Sequence, residues 1–158
     1  MNDVRELMKE AELVELRPVA FLARMAAGPF PEQGKEFENH FDVKTGFVRS
    51  GEKRFTVIFR VDCDSKRTKE EPAFARFQYR LSITYQTQRD WADELLQQYA
   101  LTNAAVHAWP YARQFIQSAS TQLGLSAVVL PALRLGQPPA GASTIRIGTV
   151  AAGEQSQD

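Results

Sequence analysis

Trp109-Pro110-Tyr111-Ala112-Arg113-Gln114-Phe115-Ile116 stands at the centre of a run from Leu101 to Leu135 that reads as the main helix of the chain. Trp109, Ala112, Ile116, Ala119 and Leu123 recur at spacings of three and four, which places them on one helical face. Ala105, Ala108, Ala112, Phe115 and Ala119 widen that face and predict burial on more than one side. Pro110 cannot donate the helical hydrogen bond and disfavours helical geometry at Trp109. Its predicted place is the first turn of the long helix, with Thr102–Ala108 as a separate turn or a kinked lead-in. Leu123-Gly124-Leu125 predicts the stop: a glycine at the left-handed cap, then an apolar residue that folds back. Val128-Val129-Leu130-Pro131-Ala132-Leu133 follows as a short apolar segment.

Upstream, the periodicity changes from helical to two. Glu12–Met25 reads as a strand interrupted by Pro18, which argues for an edge position or a bulge. Val14 and Leu16 supply its apolar residues before the proline; Val19, Phe21, Ala23 and Met25 supply them after it. Ala26–Gly34 carries Gly28-Pro29, Pro31 and Gly34 and reads as a loop. In Phe37–Val48, Phe37, Phe41, Val43 and Phe47 alternate with Glu38, His40, Asp42 and Lys44. In Arg54–Cys63, Phe55, Val57, Phe59, Val61 and Cys63 alternate with polar residues, after a tight turn at Ser50-Gly51-Glu52-Lys53. Lys66–Pro72 reads as a charged hairpin loop, and Ala73–Gln86 alternates again through Ala75, Phe77, Tyr79, Leu81, Ile83 and Tyr85. Such alternation over consecutive short-linked segments predicts an antiparallel meander with one buried face and Arg54, Arg60, Arg76 and Arg80 on the other. Asp90 starts a helix with Trp91, Leu95 and Tyr99 at four-residue spacing. Strands followed by helices give an α+β class: a four-stranded antiparallel sheet with a long helix on one face.

The ends carry less pattern. In residues 1–11, Asp3 caps a short helix bearing Val4, Leu7, Met8 and Ala11, or the terminus is frayed. Residues 12–135 form the domain. Residues 136–158 read as a mostly disordered tail in which Ile145, Ile147 and Val150 make at most a weak strand.

Composition excludes several function classes. Nineteen Lys+Arg balance nineteen Asp+Glu in 158 residues, so no global field favours nucleic acid or an anionic membrane. No apolar run approaches the length of a membrane span. The first residues lack the basic-then-apolar pattern of a signal peptide, and a single cysteine, Cys63, excludes an internal disulfide framework. These features predict a cytoplasmic protein.

No Gly-rich phosphate loop, Gly-x-Ser-x-Gly, or Cys/His cluster at metal-ligand spacing occurs, which predicts no enzyme, cofactor or metal. His107 reads as a partly buried structural histidine, with a pH-sensitive interface role as the alternative. Asp62-Cys63-Asp64 is a poor metal or thiol site, because successive strand residues face opposite ways. The outward arginines read as a solvated face, since no aromatics interleave with them. Ten Phe, four Tyr and two Trp exceed what a single small core obviously needs and predict an interface or a groove.

The order of strands, the segment Trp109-Pro110-Tyr111-Ala112-Arg113 after the fourth strand, Leu130-Pro131-Ala132-Leu133, and Ala73-Phe74 together resemble the SecB family of protein-export chaperones. The likeness spans roughly Glu12 to Leu135. It implies a homotetramer, a dimer of dimers with first strands paired between subunits and long helices between two sheets. It also implies ATP-independent holding of unfolded precursor polypeptides in apolar grooves and delivery to the SecA motor. The implied client lining is Phe41, Val43, Phe47, Phe77, Tyr79 and Leu81, and the implied assembly residues are Val19, Phe21, Trp109, Tyr111 and Ile116. Export members of that family are acidic, whereas this chain is neutral. The family's second C-terminal helix has no counterpart after Gly136-Gln137-Pro138-Pro139. SecB-like chaperones attached to toxin–antitoxin modules look similar in lacking it, so an antitoxin is the alternative partner. A chain ending at Leu135 is expected to melt within a few degrees of the full chain; calorimetry of the two checks this.

Overall fold

The computed structural model describes residues 3–26, 37–133 and 142–149. After a short helix α1 (Val4–Glu10) come the strands β1 (Glu12–Met25), β2 (Glu38–Gly51), β3 (Arg54–Lys66) and β4 (Ala75–Gln86). Helix α2 (Asp93–Tyr99), a π-helical turn (Ala100–Ala104) and helix α3 (Ala105–Gln122) follow, then β5 (Ala142–Thr149). The sheet order is β1-β4-β3-β2-β5. The first four strands pair antiparallel, and β5 runs parallel to β2. β2, β3 and β4 form the expected meander, but β1 lies beside β4 and not β2, so the four strands are not one continuous meander. The β2–β3 turn closes through Lys53, held at φ 55°. The loop expected at residues 27–34, and the parts of the expected tail at 136–141 and 150–158, lie outside the described residues. Within that tail, the segment read as at most a weak strand forms β5.

One face of the sheet is the core. Phe55, Val57, Phe59, Val61 and Cys63 of β3 and Phe77, Leu81, Ile83 and Tyr85 of β4 are buried there. Opposite them lie Ala105, Ala108, Trp109, Ala112, Ile116 and Ala119 of the long helix. The small alanines let the helix backbone approach closely, and Trp109 stands edge-on to Phe59 with ring centroids 6.3 Å apart. Phe55, Tyr85 and Tyr99 form a second aromatic cluster with centroids 5.0 to 5.7 Å apart.

Pro110 does not start the helix. It lies inside α3, because the helical run passes from α2 through the π-helical turn without interruption. The alanine-rich lead-in is held by packing, which overrides the local preference of the proline. Nor is α3 buried on several sides: Pro110, Tyr111, Arg113, Gln114, Gln117 and Ser118 are exposed. Its end follows the expectation. Gly124 sits at φ 79°, its N–H reaches the Thr121 carbonyl, and the Leu125 N–H reaches the Ser120 carbonyl, which is a Schellman cap. The chain then returns along α3. Buried Ser120 Oγ accepts from the Val128 N–H at 2.9 Å, and the Trp109 indole donates to the Pro131 carbonyl at 2.8 Å.

The N-terminal residues are docked rather than frayed. Asp3 caps α1 and Leu7 is fully buried. The Glu10 carboxylate accepts from the Gln88 and Arg89 backbone N–H groups and from the Trp91 indole, at 2.7, 3.0 and 3.2 Å. Desolvation acts to raise its pKa, but these donors and the Arg89 guanidinium outweigh it and hold the group below the ordinary carboxylate value. A depressed carboxylate contributes stability that is present above its unfolded pKa and lost as pH falls through the folded one. Glu10→Gln should therefore lower the melting temperature at pH 7, and the difference from the parent chain should shrink below about pH 4. Thermal melts of both chains across pH 3–7 check this.

Candidate functional site

The residues expected to line a client groove form the core. Phe41, Val43, Phe47, Phe77, Tyr79 and Leu81 are between 0% and 7% exposed. They sit on the sheet face that α3 and the preceding π-helical turn cover, so in this conformation they offer no open lining. The expected assembly residues divide into two groups. Trp109 and Ile116 are buried within the chain, because they are the positions by which α3 packs on its own sheet. Val19, Phe21 and Tyr111 are exposed at 48%, 67% and 45%.

The exposed set has a structural cause. Among the described strands β1 is an edge strand, hydrogen-bonded only to β4, and its ladder is interrupted between Leu13 and Glu15 and between Pro18 and Ala20. The second interruption follows from Pro18, which has no N–H to give. Each slip shifts the alternation, so Val14 and Val19 fall at the irregularities and are exposed together with Leu13 and Leu22. Beyond the second slip, Phe21 pairs with Tyr79 and so faces the helix side of the sheet. There Phe21 meets Phe115 of α3 at 5.5 Å, and Phe115 meets Tyr79 at 5.4 Å. Burial, and then the neighbouring Tyr111 phenol, push the Tyr79 hydroxyl above its ordinary pKa. Phe21, Phe115 and Tyr111 thus form an aromatic strip running from the sheet edge onto the exposed flank of α3. The sequence showed the proline and the apolar residues around it, but not that α3 stops short of covering them.

Polar groups elsewhere are spent on structure. On the outer sheet face Arg60 pairs with Asp62 and Arg76 with Asp64, both at 2.7 Å, while Cys63 between the two aspartates points into the core. Burial, then Asp64, push the Cys63 thiol up to about 12, against a lowering hydrogen bond from Ser65. His107 Nδ1 and the Tyr85 hydroxyl share a hydrogen bond of 2.7 Å, and burial lowers the His107 pKa. His107 is nevertheless exposed, where a partly buried ring was expected; the bond fastens its ring to a core tyrosine. A shallow depression of about 460 Å³ lies along Pro110, Arg113, Gln114, Gln117, Ser118 and Thr121 on the exposed face of α3. Its lining brings no general base beside its hydroxyls. Among the described residues no cluster of His, Cys, Asp and Glu could hold a metal ion, and no helix is long and apolar enough to cross a membrane.

No protein-family model matches the sequence, and no curated protein matches it. Among solved structures, a SecB-like chaperone of Mycobacterium tuberculosis, in complex with a peptide from an antitoxin, matches with a TM-score of 0.67. The match covers 82% of this chain and 95% of that one, at 19% identity. The fold is SecB-like. A protein of unknown function from Streptococcus agalactiae matches more distantly, with a TM-score of 0.44 at 10% identity over 78% of this chain and 98% of that one.

Core and surface aromatics should respond differently to substitution. Phe77→Ser with Tyr79→Ser removes two core rings; at about 3–5 kcal/mol for each large-to-small change, this approaches a typical domain's whole stability. That chain is expected to lose its circular dichroism signal at 25 °C. Val19→Ser with Phe21→Ser should stay folded and melt within a few degrees of the parent.

Proposed function

We propose that this SecB-like chain is an ATP-independent holdase that keeps other polypeptides extended and unaggregated. The observation that carries this reading is the aromatic strip of exposed Phe21 and Tyr111 with half-buried Phe115 between them. A chain without partners rarely leaves contiguous apolar surface of this kind uncovered. Phe21 and Tyr111 lie on the edge strand and on the free flank of α3, the two elements through which a SecB-like tetramer would assemble. We therefore assign Val19, Phe21 and Tyr111 to contacts between copies of the chain. Client binding would rest on apolar contact and backbone pairing, which need little sequence specificity and no nucleotide.

A second reading is favoured by a specific observation. The Mycobacterium tuberculosis structure holds an antitoxin peptide, and two of the outer sheet arginines here, Arg60 and Arg76, are already paired with aspartates of the same face. That face has no acidic excess with which to meet a SecA-like motor. A role dedicated to one partner, such as an antitoxin, is therefore the alternative to general export.

The test is suppression of aggregation of chemically unfolded clients. The chain is expected to slow aggregation of several unrelated clients without nucleotide. The effect should persist at 0.5 M salt, where exposed charges are screened within about 5 Å. Light scattering should show an assembly at micromolar concentration, which Tyr111→Asp weakens. A folded chain that protects no general client but binds one antitoxin would establish the dedicated role. A monomer at micromolar concentration would refute the assembly contacts.

A further inference from the structure

The two edges of the sheet are unlike. The β1 edge carries Pro18, and its ladder to β4 is interrupted by two slips of register. β2, by contrast, pairs with β3 without a break from Glu38 to Arg49. Its other edge is occupied by the chain's own strand β5, which pairs with Phe41–Phe47, with one shift of register between Phe41 and Asp42, and, among the described strands, with no other. Among the described strands β5 is the one that pairs in parallel, and parallel pairing is slightly weaker per residue. Eight residues, Arg134 to Gly141, separate it from Leu133, and among them are Gly136, Pro138, Pro139 and Gly141. A strand held, among the described strands, on one side only belongs to the elements that open most readily.

We infer that the β2 edge over Phe41–Phe47 is an acceptor site for an extended segment of another polypeptide, and that β5 is its built-in occupant. This rests on the holdase reading and gives it a binding site. An incoming segment adds to the regular edge of β2 by main-chain hydrogen bonds, the mode of recognition that depends least on side chains. The sequence Thr144-Ile145-Arg146-Ile147, in which polar residues alternate with isoleucines, shows the kind of segment the edge accepts. A short tether gives β5 an effective concentration on the order of millimolar. Weak segments are thus excluded, and the bare edge is never offered to a second sheet.

Two full-length variants test this. Lys44 and Arg146 are register partners. Neighbouring strands lie about 4.8 Å apart, within the Cα separation of about 4.4–6.8 Å that a disulfide spans. Lys44→Cys with Arg146→Cys therefore locks β5 when oxidised and frees it when reduced. Ile145→Pro with Arg146→Pro opens it, because adjacent residues turn their N–H groups to opposite edges and one of the two prolines must remove a bond to β2. The probes are a fluorescein-labelled peptide of residues 140–151 and a chemically unfolded client.

The proline chain is expected to bind the peptide at least tenfold more tightly than the parent, and the oxidised cysteine chain is expected not to bind it. Client holding should follow the same order. Peptide binding within twofold across all forms, or equal client holding by the oxidised and reduced chains, overturns the inference. If the peptide binds in the expected order but no form holds a client, the acceptor site stands and the holdase reading falls.

Discussion

The structure depends on how α3 closes the inner face of the sheet, and Trp109 is the residue through which that contact is made. Its ring stands against Phe59 in the middle of the sheet, and its indole N–H is satisfied by the Pro131 carbonyl of the returning segment. One side chain therefore ties together sheet, helix and return. The alanines at 105, 108, 112 and 119 bring the helix close enough for this contact. A large ring among small residues fixes the helix along its axis, since sliding would drive the indole into a site sized for a methyl group. The buried Ser120 hydroxyl does the same for the return, by accepting the Val128 N–H that would otherwise be buried without a partner.

That closure decides what remains for function. Because α3 lies over β3, β4 and part of β1, the strongest alternating pattern in the sequence is consumed by the chain's own core. What stays outside is what the helix cannot reach: the edge strand, with its proline and its slips, and the flank of α3 next to it. The apolar strip is thus a consequence of packing geometry, since a helix of 18 residues crossing a broad twisted sheet covers its centre and leaves an edge bare.

Much of the fold was legible because it is written in periods. Alternation in β2, β3 and β4, helical spacing in α3, the glycine stop at Gly124 and the edge position forced by Pro18 all follow from local chemistry. The candidate site was far less legible. Alternation says that one face is covered but not by what, so Phe41, Val43, Phe47, Phe77, Tyr79 and Leu81 fitted a client groove as well as a core. The apparent surplus of aromatics had the same origin: rings such as Phe55, Tyr85, Tyr99 and Trp91 are buried within the fold. Helix α1 showed only a short apolar pattern, because its anchor is a tertiary one, the acceptance of three N–H groups by Glu10. The strand at Ala142–Thr149 was faint because its pairing partner lies about a hundred residues earlier.

On the proposed reading, the two sheet edges divide the tasks that a holdase has to reconcile. Such a protein must expose sticky surface, yet its own copies must not pair through it without limit. At the β1 edge, Pro18 and the slipped register prevent continuous backbone pairing, so contact there depends on side chains such as Val19 and Phe21. Side-chain contacts of that kind have a definite shape and favour a closed assembly over an open one. At the β2 edge the backbone is regular and would pair with any extended chain, including another sheet. Covering it with a tethered strand makes access conditional: a segment enters only if it pairs better than β5 does at its own effective concentration. Generality toward unfolded chains and protection against self-association then come from the same eight-residue strand.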